Sequence, residues 1–118
     1  MLSVRLYYLE KYILPRWNEG FTIWSAGKFG RRLYRSLSSK NRQKVLQFCD
    51  VDQTKIGRAY EYQQSEQIPK PKIPIISFKQ IKPPFLIAVK TDLHEGDLES
   101  NIRYLDLDEN FDNFVHFG

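Results

Sequence analysis

The sequence is poor in the residues that build staples and metal centres. Of its 118 residues only Cys49 carries a thiol, which excludes an intrachain disulfide framework and a cysteine-built zinc site. One thiol and no disulfide fit a reducing compartment, so a cytoplasmic setting is expected. Cys49 sits in an apolar run and is expected to be an inert, buried thiol. Histidine is also scarce, with His94 and His116 alone. His94 lies among Asp92, Glu95 and Asp97, which reads as a solvated acidic loop rather than a ligand set. His116 alternates with Val115 and Phe117 as a surface or packed residue. No metal centre is expected, and no cofactor is identified. Long apolar runs are missing too: nothing approaches the roughly 20 residues of a membrane span. Arg5, Glu10 and Lys11 interrupt the N-terminal segment, and no small-residue cleavage site follows, so it does not read as a signal peptide. Internal repeats and low-complexity stretches are absent.

One sign of charge is missing from each of two stretches. Lys28 to Lys44 holds seven basic residues and no acid, whereas Asp92 to Asp112 holds eight acids and one arginine. Within a net charge of +4, this predicts a basic and an acidic side. Both read most simply as solvated faces, with a phosphate patch as the alternative for the basic one. The basic run lacks the aromatic stacking pattern of a nucleic-acid platform, and no nucleic-acid partner is expected.

What is present is a core. Apolar residues make up 42% of the chain, with eight Phe, seven Tyr and two Trp. At this length one domain is the default, and it can bury roughly two-thirds of the surface of the unfolded chain. Residues 1–20 read as an N-terminal amphipathic helix and linker, and 21–118 as the domain proper. Leu2, Leu6, Leu9 and Ile13 recur at helical spacing until Pro15 stops the helix. Such a helix either pads the domain or continues a longer chain, and the second is the preferred expectation because the domain pattern begins only after Gly20.

Phe21–Trp24 is a short buried strand. It is followed by the turn Ser25-Ala-Gly-Lys-Phe-Gly30 and a helix striped by Phe29, Leu33 and Leu37. Val45–Cys49 is the next strand, which completes a βαβ unit. Residues 54–72 are irregular, with Tyr60–Tyr62 as a short extended piece. Three prolines between Ile68 and Pro74 argue against a central strand there and leave Ile75–Phe78 as an edge strand. Phe85–Val89 is a continuous apolar run, as in parallel strands covered on both faces. A helix over Asp97–Leu107, with Leu98, Ile102 and Leu105 on one side, and a strand at Phe114–Phe117 close the chain. The expectation is an α/β fold: a small Rossmann-like three-layer domain with a short, mostly parallel sheet in strand order 3-2-1-4-5.

The chemistry centres on the glycine turn. Against a Gly-x-Gly-x-x-Gly dinucleotide fingerprint, the three positions read Ser25, Gly27 and Gly30. Gly27 permits close approach of a phosphate, and Gly30 permits tight helix–strand packing. The following helix N-terminus offers free N–H groups and Lys28 a cation. Asp50, 20 residues after Gly30, stands where an acid can hold a ribose hydroxyl. Asp50-Val-Asp52 also matches an Asp-x-Asp pair that holds a metal and a nucleotide diphosphate, and Asp52 can instead cap a turn over Gln53–Lys55. The candidate nucleotide- or phosphate-binding residues are therefore Ser25, Gly27, Lys28, Gly30, Asp50 and Asp52. The same residues can serve turn geometry and packing alone.

A family resemblance rests on Thr22-Ile-Trp-Ser-Ala-Gly-Lys-Phe-Gly-Arg-Arg-Leu-Tyr-Arg-Ser-Leu37, Arg42-Gln-Lys-Val45, Phe48-Cys-Asp-Val-Asp52 and Lys70-Pro-Lys-Ile-Pro74. Pro83-Pro-Phe85, Val89-Lys90 and Val115-His-Phe117 extend it. Over residues 20–118 the chain resembles the C-terminal region of UDP-GlcNAc:βGal β-1,3-N-acetylglucosaminyltransferase-like proteins. More loosely, Gly-Lys-x-Gly, Asp-x-Asp-x-x-Lys-Ile-Gly57 and Ile-Pro-Ile75 are similar to Rossmann-like domains appended to some sugar methyltransferases. The first resemblance implies a family 2 glycosyltransferase parent whose UDP-sugar site and catalytic base lie in a separate GT-A domain. No catalytic residue carries over to this chain. The implied partners are a nucleotide-sugar or the transferase catalytic domain, and the implied role is accessory. A stand-alone NAD(P)- or nucleotide-binding domain and a non-catalytic interaction module using the 2–14 helix are the alternatives.

Overall fold

The computed structural model describes residues 2–88, 95–108 and 110–117. Helix α1 (Leu2–Tyr8) runs on through a π turn (Leu9–Ile13) and a 3-10 turn (Leu14–Arg16). Pro15 falls in the first turn of that last segment, and the helical stretch ends one residue later at Arg16. Then follow β1 (Phe21–Trp24), α2 (Lys28–Ser36), α3 (Ser39–Arg42), β2 (Val45–Asp50), β3 (Ala59–Glu61) and β4 (Lys72–Ser77). A 3-10 turn (Phe78–Gln80), β5 (Phe85–Ile87), α4 (Glu95–Leu105) and β6 (Phe114–His116) complete the chain.

The strands form one six-stranded sheet in the order β3-β4-β2-β1-β5-β6. All pairings are parallel except β3 with β4. Without the β3 edge, the order counted along the chain is the expected 3-2-1-4-5, and the fold is the expected small, three-layer, Rossmann-like α/β domain.

Alternation along the strands sends side chains to two cores. Phe21, Ile23, Phe48, Ile75, Leu86 and Ala88 pack beneath Leu33 and Tyr34 of α2. Trp24, Cys49, Phe85, Ile87 and Phe114 meet Phe78, Ile81 and Leu98 of α4 on the other face. A register shift between Phe21 and Thr22 skips Leu46, which lets Val45 and Phe48 share the α2 face. The basic α2 and the acid-bearing α4 therefore pack on opposite faces of the sheet.

One expectation needs correction. Ile75–Phe78 is not an edge strand: β4 starts at Lys72 and lies between β2 and β3. Pro74 is accommodated because Ile75 N–H, not residue 74, donates to Arg58 O (2.9 Å), while the ladder with β2 begins only at Ile75. The N–H that Pro74 lacks would point toward β2 one residue before that ladder starts. The N-terminal helix packs on the domain. Leu9, Ile13, Leu14 and Trp17 are buried members of the α2-side core, and Trp17 Nε1 donates to Phe111 O at 2.8 Å.

Candidate functional site

The site region is the C-terminal edge of β1. The chain leaves β1 toward β2 and β4, then returns to β5 on the other side of β1. The ends of β1 and β5 thus flank the topological switch point, where open α/β sheets place ligands. Residues 89–94, which hold Val89, Lys90 and His94, lie outside the described residues.

Ser25 takes the place of the first glycine and adopts a glycine-like backbone, with φ +117°. Its N–H donates to Cys49 O (2.8 Å), which ties the turn to β2. Its Oγ accepts from Gly27 N–H (3.2 Å). Gly30 meets the requirement of the third position strictly: a Cβ there would run into the carbonyl oxygen of Ser25. Gly27 is different. Its backbone is ordinary (φ −81°, ψ −167°), and a Cβ would meet only Ser25 Oγ at 3.3 Å and Lys55 Nζ at 3.6 Å. The space in front of Gly27 is thus open apart from two movable polar groups.

Helix α2 begins at Lys28 with no side-chain cap. Helix geometry leaves the N–H groups of its first turn, from Lys28 to Gly30, without intrahelical acceptors. Lys28 is exposed beside them. Lys55, half-buried, brings a second cation over Gly27 from the loop after β2. Lys55 stands apart from the motif in sequence, 25 residues beyond Gly30 in an irregular stretch. The only signal for it was the Asp-x-Asp-x-x-Lys spacing.

The two acids are not convergent. Asp50 is buried at the end of β2 and clamps the turn. Its Oδ2 accepts from Ala26 N–H (2.9 Å) and its Oδ1 from Val51 and Asp52 N–H (2.8 and 3.0 Å). Asp52 is exposed and caps the next turn, its Oδ1 accepting from Thr54 N–H (2.9 Å) and Oγ1 (2.7 Å). Those bonds from Thr54 hold its carboxyl below the usual carboxylate range. Among the described residues, no group of three His, Cys, Asp or Glu is arranged to hold a metal ion. Cys49 is a free, buried thiol, pushed above the ordinary thiol range first by burial and then by neighbouring Asp50. His116 is exposed on β6 with its ring edge-on to Phe114.

Elsewhere, Arg31 lies over the Tyr60 ring (5.9 Å), Arg35 donates to Tyr60 Oη (3.2 Å), and Arg42 lies over Tyr62 (5.5 Å). The edge strand β3 and the residue that follows it thus supply aromatic partners to the basic run that are not adjacent to it in sequence. A polar groove of about 620 Å³, lined by Tyr34, Arg42, Tyr62, Gln64 and Lys72, opens on this side. No helix among the described residues is long and apolar enough to cross a membrane.

No family model matches the chain, and no solved structure matches it.

Proposed function

We propose that this is an accessory Rossmann-like domain of a glycosyltransferase, which binds the phosphate of a nucleotide or phosphosugar at the β1–α2 turn. The supporting observation is the turn itself. Gly27 lies open at the switch point, between the uncapped first turn of α2 and two cations, Lys28 and Lys55. Amides, helix dipole and lysines all favour a negative group there. Ser25, Gly30 and Asp50 position the turn, and Asp52 shapes the loop that carries Lys55. Both Asp50 oxygens already accept backbone N–H bonds, so in this arrangement a sugar hydroxyl would have to compete with them. The glycosyltransferase part of the reading rests on the sequence resemblance, and the cytoplasmic setting on the single buried cysteine.

Titration of UDP-sugars and of nicotinamide nucleotides, followed by calorimetry and amide chemical shifts, tests the proposal. Binding tighter than about millimolar, with shifts at residues 25–30 and 55, is expected. Gly27→Ala and Lys55→Glu should weaken it at least about ten-fold while the fold is retained. Absence of binding by every nucleotide leaves a scaffold without a ligand. Selective binding of NAD(P) favours the stand-alone cofactor domain.

A further inference from the structure

Helix α1 and its continuation bury one side and leave the other uncovered. Leu9, Ile13 and Leu14 point into the core. Opposite them, Tyr7, Tyr8 and Tyr12 are 61%, 56% and 50% exposed, and Val4 is 71% exposed. These side chains form a continuous surface. The Tyr8 and Tyr12 rings are 4.8 Å apart. Lys11 Nζ donates to Tyr7 Oη at 3.0 Å and lies 5.3 and 5.5 Å from the Tyr7 and Tyr12 ring centres. An apolar trough of about 430 Å³ between Tyr8, Ile13, Phe111 and Val115 extends this surface toward β6.

The charges say what fits it. Residues 2–16 carry Arg5, Lys11 and Arg16 and a single acid, Glu10. Glu10 is turned inward: its Oε2 accepts from Ser38 N–H and Asn41 Nδ2, each at 2.7 Å. Lys44 adds a cation at the far end, where its Nζ donates to Leu14 O at 2.9 Å. The outer face of the helix is therefore tyrosine-rich and cationic, with its own carboxylate withdrawn. A second copy does not suit it, because facing copies would bring like charges together.

We infer that this face docks the domain on an anionic phospholipid surface, with Val4, Tyr7, Tyr8 and Tyr12 at the headgroup boundary and Arg5, Lys11 and Arg16 against the phosphates. Tyrosine rings suit that depth because one end is apolar and the other wet. A surface helix with a basic, aromatic outer side binds by apolar contact and electrostatic attraction together.

Flotation of the full chain with vesicles tests this, using phosphatidylcholine alone or with about 30% phosphatidylserine. The chain is expected to float with the anionic vesicles at low salt, not with the neutral ones, and to be released near about 0.5 M salt. The variant R5E/K11E/R16E should lose at least about ten-fold in partitioning, and Y7S/Y8S/Y12S several-fold, both with unchanged circular dichroism because every substituted side chain is exposed. Failure to float with anionic vesicles at low salt overturns the proposal and leaves the face to a protein partner. Flotation that survives both variants but is lost in R31E/R35E also overturns it, since the basic face of α2 is then responsible.

Discussion

Ser25 holds a backbone conformation, φ +117°, that costs a non-glycine residue about 1–3 kcal/mol. Glycine would relieve that cost, but it would forfeit the Oγ bond from Gly27, worth about 1 kcal/mol. Ser25→Gly is therefore expected to be neutral to stabilising by up to about 2 kcal/mol in urea unfolding. Ser25→Ala, which keeps the strain and loses the bond, should destabilise by about 1 kcal/mol. The neighbouring glycines should separate cleanly. Gly30→Ala forces the turn off the helix and should cost about 3 kcal/mol or prevent folding, whereas Gly27→Ala should cost less than about 1 kcal/mol. A large loss of stability at Gly27 would show that its role is packing. The turn was legible in the sequence as strand, glycines and helix. That Ser25, already read at the first position, adopts a glycine-like φ was not, because that φ is set by the Ser25 N–H bond to Cys49 O and by the Asp50 clamp on Ala26, both of which arise from strand pairing.

Glu10 links two elements, since it reaches from the N-terminal helix to the start of α3. Burial raises its carboxyl, but the bonds from Asn41 and Ser38, aided by Arg42, outweigh that and hold it below its ordinary value of 4.5. A depressed carboxylate contributes stability that is fully present above the ordinary value and is lost as pH falls through the folded one. Acid titration of unfolding should show this loss below about pH 4.5, and Glu10→Gln should remove that part of the pH dependence while costing about 1–2 kcal/mol at neutral pH. Leu14 is fully buried in the α2-side core, so Leu14→Ala is expected to cost about 2–5 kcal/mol. For the same reason, removal of residues 1–14 should unfold the domain rather than merely release a partner, as proteolysis and circular dichroism would show. The amphipathic spacing revealed the helix. Its membership of the core depends on α2 and β6, which meet it only in three dimensions.

Across the whole molecule, Trp17 ties the first segment to the last through its bond to Phe111 O, 94 positions away. The N-terminal helix and the sheet should consequently melt in one cooperative transition, with far-ultraviolet and tryptophan signals coinciding. Trp17→Phe should lower the midpoint by a few degrees, from the loss of about 1 kcal/mol. Separate transitions would show that residues 1–20 are an independent unit.

The sequence by itself determined the class of fold. Short strand-like runs at 21–24, 45–49 and 85–89, with helical stripes over 29–37 and 98–105, point to a mostly parallel sheet covered on both faces, and those patterns are local. Only the tertiary structure decided that β4 is interior despite Pro74, that Lys55 reaches Gly27, that Asp50 clamps the turn, and that Glu10 faces inward. Each depends on groups brought together by strand pairing or helix docking, and their separation along the chain hides them from any pattern read residue by residue.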